Sequence, residues 1–225
     1  MYVLIVFILL ASVVIWLLIS RMTVATIRKL SDPEPLLRAV PGDTAMRDVS
    51  DWPAANAYEP DSRFEFDGLV GVDALVDVLV WHNPEAHTYL VSYAVMDKTW
   101  WEFVTLFRGQ GGNVLAGLTT SSVDDSLTLP SPPGHFIQAF GRLDRDGLLA
   151  RHREGVALLQ DRMGLRPVNP TQGTREMIID SIECQIAHVQ RIPYWYLKGP
   201  YWYFIRRRRR VNRPIAALLS DTLSV

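Results

Sequence analysis

His82 and His87 stand five residues apart and Cys184 and His188 four apart. Pairs like these can hold a transition metal or couple a nucleophile to its base. The first pair brackets Asn83-Pro84-Glu85-Ala86, and a proline there breaks the regular helix that sets two histidines over one zinc. Two turn histidines are the simpler reading. Cys184 and His188 share one face of an expected helix, but structural zinc takes about four ligands and no second pair has matching spacing. A buried thiol beside an ordinary helix histidine is expected instead. Cys184 would be a nucleophile if His82, His87, His135 or His152 reached it in space, yet no local signature pairs it with any of them. His152, inside Arg151-His152-Arg153-Glu154, reads as the solvated side of its helix. Asp124-Asp125 suit a cation or acid–base chemistry, but adjacent aspartates in a Ser/Thr-rich loop are usually turn formers. Gly109-Gln110-Gly111-Gly112 lacks the Gly-Lys-Ser/Thr ending of a phosphate loop. Ser131-Pro132-Pro133-Gly134 is too short for specific proline-type recognition. No catalytic residue, no metal ligand and no cofactor is therefore assigned.

A different chemistry is written in residues 193–210, PYWYLKGPYWYFIRRRRR. A Pro-Tyr-Trp-Tyr unit occurs at Pro193 and again at Pro200. Tyr194, Trp195, Tyr196, Tyr201, Trp202 and Tyr203 thus crowd against Arg206, Arg207, Arg208, Arg209 and Arg210. Tyr and Trp join an apolar body to a polar tip and favour the headgroup level of a membrane. Arginines near an anionic leaflet gain about 1 kcal/mol each. The segment is expected to contact a membrane surface or a partner subunit. The competing readings are core or edge aromatics beside a solvated arginine face, and base stacking with phosphate neutralisation on a nucleic acid. Nucleic acid is the least favoured, because the chain carries a membrane segment and no nucleic-acid-binding fold.

That membrane segment is residues 1–20, MYVLIVFILLASVVIWLLIS, which hold no charged side chain. About 20 residues of helix span roughly 30 Å, the thickness of the hydrocarbon core. Val3, Leu10 and Trp16 belong to the expected anchor and Arg21 closes it. A cleaved signal peptide would have a basic stretch before a shorter apolar run. Arg21, Arg28, Lys29 and Arg38 follow the helix, so the positive-inside rule puts everything after it in the cytoplasm. The single cysteine excludes an intramolecular disulfide. The net charge of −1 selects no partner, but its distribution is uneven. Asp32 to Asp77 is mainly acidic, with Arg38, Arg47 and Arg63 as its bases; Cys184 to Ser220 has no acid and carries Arg191, Lys198, Arg206 to Arg210 and Arg213.

The elements that must position these residues follow from local pattern. Residues 21–63, interrupted by Pro33, Pro35, Pro41, Pro53 and Pro60, read as an acidic tether, with Trp52 and Tyr58 packing on the domain. Residues 68–80 fit helix or strand equally. Tyr89 to Met96 and Thr99 to Phe107 read as strands joined by a tight turn at Asp97-Lys98, and Val114 to Thr120 and His135 to Phe140 as two more. Gly109 to Asn113 is an expected turn and residues 121–134 a loop. Asp144 is the expected N-cap of a helix to Met163, with Leu148, Leu149, Val156, Leu159 and Met163 inward and Gly164 as its stop. Thr174 is the expected cap of a second helix with Ile178, Ile179, Ile182, Ile186 and Val189 on one side, ending before Pro193. The expected architecture is one N-terminal transmembrane helix, the tether, an α+β domain over 64–192 with an antiparallel sheet and at least two packed helices, and an aromatic, Arg-rich segment over 193–225 with a short terminal helix. The expected role is a non-enzymatic accessory or scaffolding subunit of a membrane complex, contacting the bilayer and other membrane subunits. A membrane-tethered enzyme such as a hydrolase, or an anionic-lipid-binding module, are the alternatives.

Overall fold

The computed structural model describes residues 2–40, 51–68, 74–108, 115–124 and 129–222. The first element, α1 (Tyr2–Leu30), does not end with the apolar run but continues for nine residues beyond Arg21. A 3₁₀ turn, Glu34–Leu36, leads into β1 (Leu37–Ala39), and a short helix, α2 (Trp52–Ala55), precedes β2 (Glu59–Phe66). The described parts of residues 21–63, which exclude 41–50, are therefore not a tether. They supply the end of a helix, an edge strand and most of β2. Prolines permit this because Pro33 and Pro53 sit at helix starts and Pro60 beside a register irregularity in β2, positions that tolerate proline.

Next come β3 (Val76–Asn83), β4 (Thr88–Val95), β5 (Lys98–Arg108), β6 (Leu115–Ser121) and β7 (His135–Ala139). They pair in sequence order from β1 to β7, every pair antiparallel except β6 with β7, which is parallel. The sheet is thus mixed, not purely antiparallel. Hairpins dictate antiparallel pairing, but about a dozen residues between β6 and β7 are enough to carry the chain back to the starting edge. The β4–β5 turn is Met96-Asp97, one residue earlier than expected, with Met96 in the left-handed region at φ 54°. The expected Gly109–Asn113 turn lies outside the described residues.

The helix α3 (Arg145–Met163) starts as expected: the Asp144 carboxylate accepts the Gly147 N–H at 2.9 Å, and Gly164 ends it at φ 63°. After β8 (Arg166–Val168), which pairs with the end of β5, comes α4 (Thr174–Gln190). Its cap is Gly173, not Thr174, whose hydroxyl instead donates to Asp61 Oδ2 at 2.7 Å and ties the helix to β2. The chain closes with α5 (Trp195–Tyr201), a π-helical turn (Trp202–Arg206) and α6 (Ile215–Thr222).

Helices cover both faces of the sheet. Leu79, Trp81, Leu90 and Phe103 meet Leu148 and Leu149 of α3 on one face, while Val78, Val80, Tyr89 and Val91 meet Met177, Ile178 and Ile179 of α4 on the other. Of residues 68–80, 69–73 lie outside the described residues and 76–80 are strand, and double-sided burial explains why these lack a period-two pattern. On α3 the buried side chains are Leu148, Leu149, His152 and Leu159, whereas Met163 is exposed.

His152, expected in solvent, is fully buried between α3 and the sheet. Its partners leave one arrangement of protons. The Thr88 hydroxyl donates to Ala86 O at 3.0 Å, so at 3.0 Å it accepts from Thr105. Thr105 then accepts from His152 Nε2 at 2.9 Å, and Thr120 donates to His152 Nδ1 at 2.8 Å. Gln138 completes the chain: its Nε2 donates to Thr120 and to Arg151 O, and its Oε1 accepts the Ile215 N–H of α6. Each hydroxyl donates once and accepts once, which requires a neutral imidazole protonated on Nε2. Burial, aided by Arg153, holds this histidine down at a pKa of about 3.

Candidate membrane-facing site

The site is built on α1. Its 29 residues rise about 43 Å, close to the thickness of a bilayer with its headgroups. Among the described residues, no part of its apolar window is buried in the protein. Leu10 and Trp16 are exposed, as is Arg21; of Val3 only the helical backbone is described. Thr23 and Thr26 return their hydroxyl protons to the carbonyls of Ile19 and Met22, the usual way a hydroxyl is satisfied on an apolar helix.

The aromatic segment packs on the last turns of this helix. Trp195 is buried with Leu129, Ile186 and Val189, and Ile27, Leu30 and Trp202 lie against that cluster. Gly199 faces Thr23: a Cβ there would sit 3.2 Å from Thr23 Cγ2. Gly199 is thus a point of close approach between α5 and α1, where the absence of a Cβ leaves room for Thr23. A Gly199→Leu substitution is expected to lift α5 from α1 at about 1–3 kcal/mol of overpacking, raising amide exchange over 195–201 while the sheet amides stay protected. Unchanged exchange in α5 would refute this packing role.

Of the eleven residues singled out in the segment, only Trp195 is buried; Trp202, Arg207 and Arg210 are half-buried. Tyr194, Tyr196, Tyr201 and Tyr203 are exposed, together with Leu197, Phe204 and Ile205, which the sequence reading passed over. Tyr194 turns the chain at φ 57°, redirecting it from α4 to α5. Arg207 stands 4.6 Å from the Tyr203 ring and Arg210 5.7 Å from the Trp202 ring, so two of the five guanidiniums lie over aromatics. Burial and the neighbouring Arg206 lower the pKa of Arg210. Arg206, Arg208 and Arg209 are exposed. Asn212 N–H then donates to Ala139 O at 2.8 Å, returning the segment to the end of β7.

The other candidates are not brought together. Cys184 is exposed rather than buried, and no group of metal-holding side chains occurs among the described residues. His87 is a turn residue at φ 52°. His135 is half-buried, with its pKa lowered by burial. Asp125 and the Gly109–Gly112 stretch lie outside the described residues. An open groove of about 470 Å³ contains His82, Asp61, Ser62, Tyr89 and Thr174. There His82 stacks on Tyr89 at 4.2 Å and meets Asn169 Oδ1 at 3.1 Å, while Ser62 and Thr174 both donate to Asp61. The serine proton goes to the aspartate and the imidazole to an amide, so these contacts form no nucleophile–base pair.

No protein-family model matches this chain, and no curated protein and no solved structure matches it.

Proposed function

We propose that the protein is a single-pass, membrane-anchored accessory subunit whose domain is held at the cytoplasmic surface and acts by contact. The observation that carries this reading is the packing of α5 on the end of α1. Trp195 and Trp202 share a cluster with Ile27 and Leu30 of α1, and their chain neighbours Tyr194, Tyr196, Leu197, Tyr201, Tyr203, Phe204, Ile205, Arg206, Arg208 and Arg209 are exposed, which supports a surface contact beside the anchor. Aromatic rings and arginines favour the headgroup level of a membrane, and a segment already tethered there binds at high effective concentration.

Retention of α1 is favoured by its contacts with the domain. Lys29 Nζ meets Asp67 Oδ1 at 2.7 Å, Gln190 donates to Ser31, and Thr23 faces Gly199. The helix also runs unbroken through the region where a signal peptidase would need extended chain. The basic residues after it favour a cytoplasmic domain.

The test is extraction of the full-length protein from its native membrane in mild detergent, followed by mass spectrometry of the intact chain and of whatever accompanies it. The expected result is the uncleaved mass and a reproducible, stoichiometric set of membrane subunits. An uncleaved chain that emerges as a lone monomer would overturn the subunit role, and a chain shortened near residue 20 would overturn the anchor.

A further inference from the structure

Strand register places one turn of the domain on the same edge as α1. Lys29, in the last turn of α1, is bonded to Asp67, which directly follows β2. The Asp67 N–H donates to Leu36 O, just before β1. Phe66 at the end of β2 pairs with Val76 at the start of β3, Asp77 pairs with Ala94, and Val95 pairs with Lys98. The β4–β5 turn therefore lies on the edge where α1 ends, roughly 10–14 Å along the sheet from β2 at about 4.8 Å per strand.

That edge carries exposed apolar side chains. Met96, at the tip of the turn, is 78% exposed, and Leu75, just before β3, is 45% exposed. Lys98 is exposed beside them. Two of the described neighbouring acids are paired: Asp67 with Lys29, and Asp77 with Arg63, whose Nε and Nη2 reach its two oxygens at 2.7 and 2.9 Å. Asp97 is the exposed acid of the turn. On α1 the apolar surface runs past Arg21 through the exposed Met22 and Val24, and Arg28-Lys29 close it. The sheet edge thus begins where the apolar surface of the helix stops. The opposite edge is different: its β3–β4 turn carries Pro84, Glu85 and Ala86.

Resting on the anchored reading above, we infer that the β4–β5 turn is a second contact with the same bilayer. Met96 and Leu75 enter the headgroup layer, and Lys98 meets lipid phosphate. With α1 and α5 as the first contact, this gives two points of attachment and stands the strands upright on the membrane, with the β3–β4 turn facing away. A flexible thioether suits the irregular headgroup boundary, and the lysine stem can lie along apolar surface while its ammonium reaches phosphate.

The test uses the full chain in a Cys184→Ser background, reconstituted in phosphatidylcholine–phosphatidylserine vesicles. Met96→Cys, Glu85→Cys and Leu17→Cys are each labelled with a small fluorophore. All three positions are exposed, so the substitutions leave the core intact. Spin labels on lipid headgroups are expected to quench position 96 at least threefold more than position 85, and spin labels in mid-chain to quench position 17. Equal quenching at 96 and 85, with 17 quenched, would overturn the second contact while leaving the anchor standing. Failure to quench position 17 would remove the anchor and this inference with it.

Discussion

Acidification from pH 6.5 to pH 3 is expected to cost the folded domain about 4 kcal/mol through His152 alone. In the unfolded chain this histidine titrates near 6.5; in the fold it is held to about 3. Between those values the unfolded state takes up a proton that the native state refuses. Stability from this group is complete above pH 6.5 and falls progressively as the pH drops toward 3. The cause is geometric as well as dielectric. Thr105 Oγ1 accepts from Nε2 and Thr120 donates to Nδ1, so a second ring proton would point at a hydroxyl hydrogen. A loss of this size is a large part of the stability of an ordinary domain. His152→Phe is expected to lower stability at pH 7 by about 1–3 kcal/mol, because it strands the buried Thr120 hydroxyl, and to flatten the acid dependence. Urea titrations in mild detergent at pH 7, 5 and 4 read both effects, and nitrogen NMR of the parent should show the Nε2–H tautomer. Equal pH dependence in parent and variant would contradict the assignment.

Replacing Arg206, Arg208 and Arg209 together by glutamine is expected to weaken the hold of the aromatic segment on an anionic membrane by about 3 kcal/mol, or roughly a hundredfold. These three guanidiniums are exposed, whereas Arg207 and Arg210 are half-buried and lie near the Tyr203 and Trp202 rings. The triple variant therefore removes charge without dismantling the packing on α1. Hydrogen exchange over 195–210, read on the full chain in vesicles with and without phosphatidylserine, measures the effect. The parent should be protected in anionic vesicles and lose that protection in high salt, and the variant should behave alike in both lipids. A parent indifferent to lipid charge would show that the arginines serve something other than the bilayer.

Several features of this protein were legible because they rest on interactions within a few residues. The apolar run of α1, the Asp144 cap, the Gly164 stop and the strand character of Tyr89 to Val95 all follow from local sterics and backbone hydrogen bonding. The composition of the aromatic–arginine segment was equally plain. Other features depend on partners far along the chain. Residues 37–39 and 59–63 looked like tether because an edge strand takes its ladder from Phe64 to Phe66 and from β3, which composition does not record. The parallel β6–β7 pair depends on where a loop returns, not on either strand's own residues. His152 sits among charged neighbours in sequence, yet α3 turns it inward. There it is satisfied by Thr105 and Thr120, and the Thr120 hydroxyl in turn by Gln138. Periodicity counts a polar residue as outward-facing, and only the fold can supply the partners that make its burial cheap. The apolar run of α1 and the crowding of aromatics against arginines in residues 193–210 were therefore determined by sequence alone. That Gly199 brings α5 against Thr23, and that the Met96 turn shares an edge with Lys29, was decided by packing and register, which join residues separated by most of the chain.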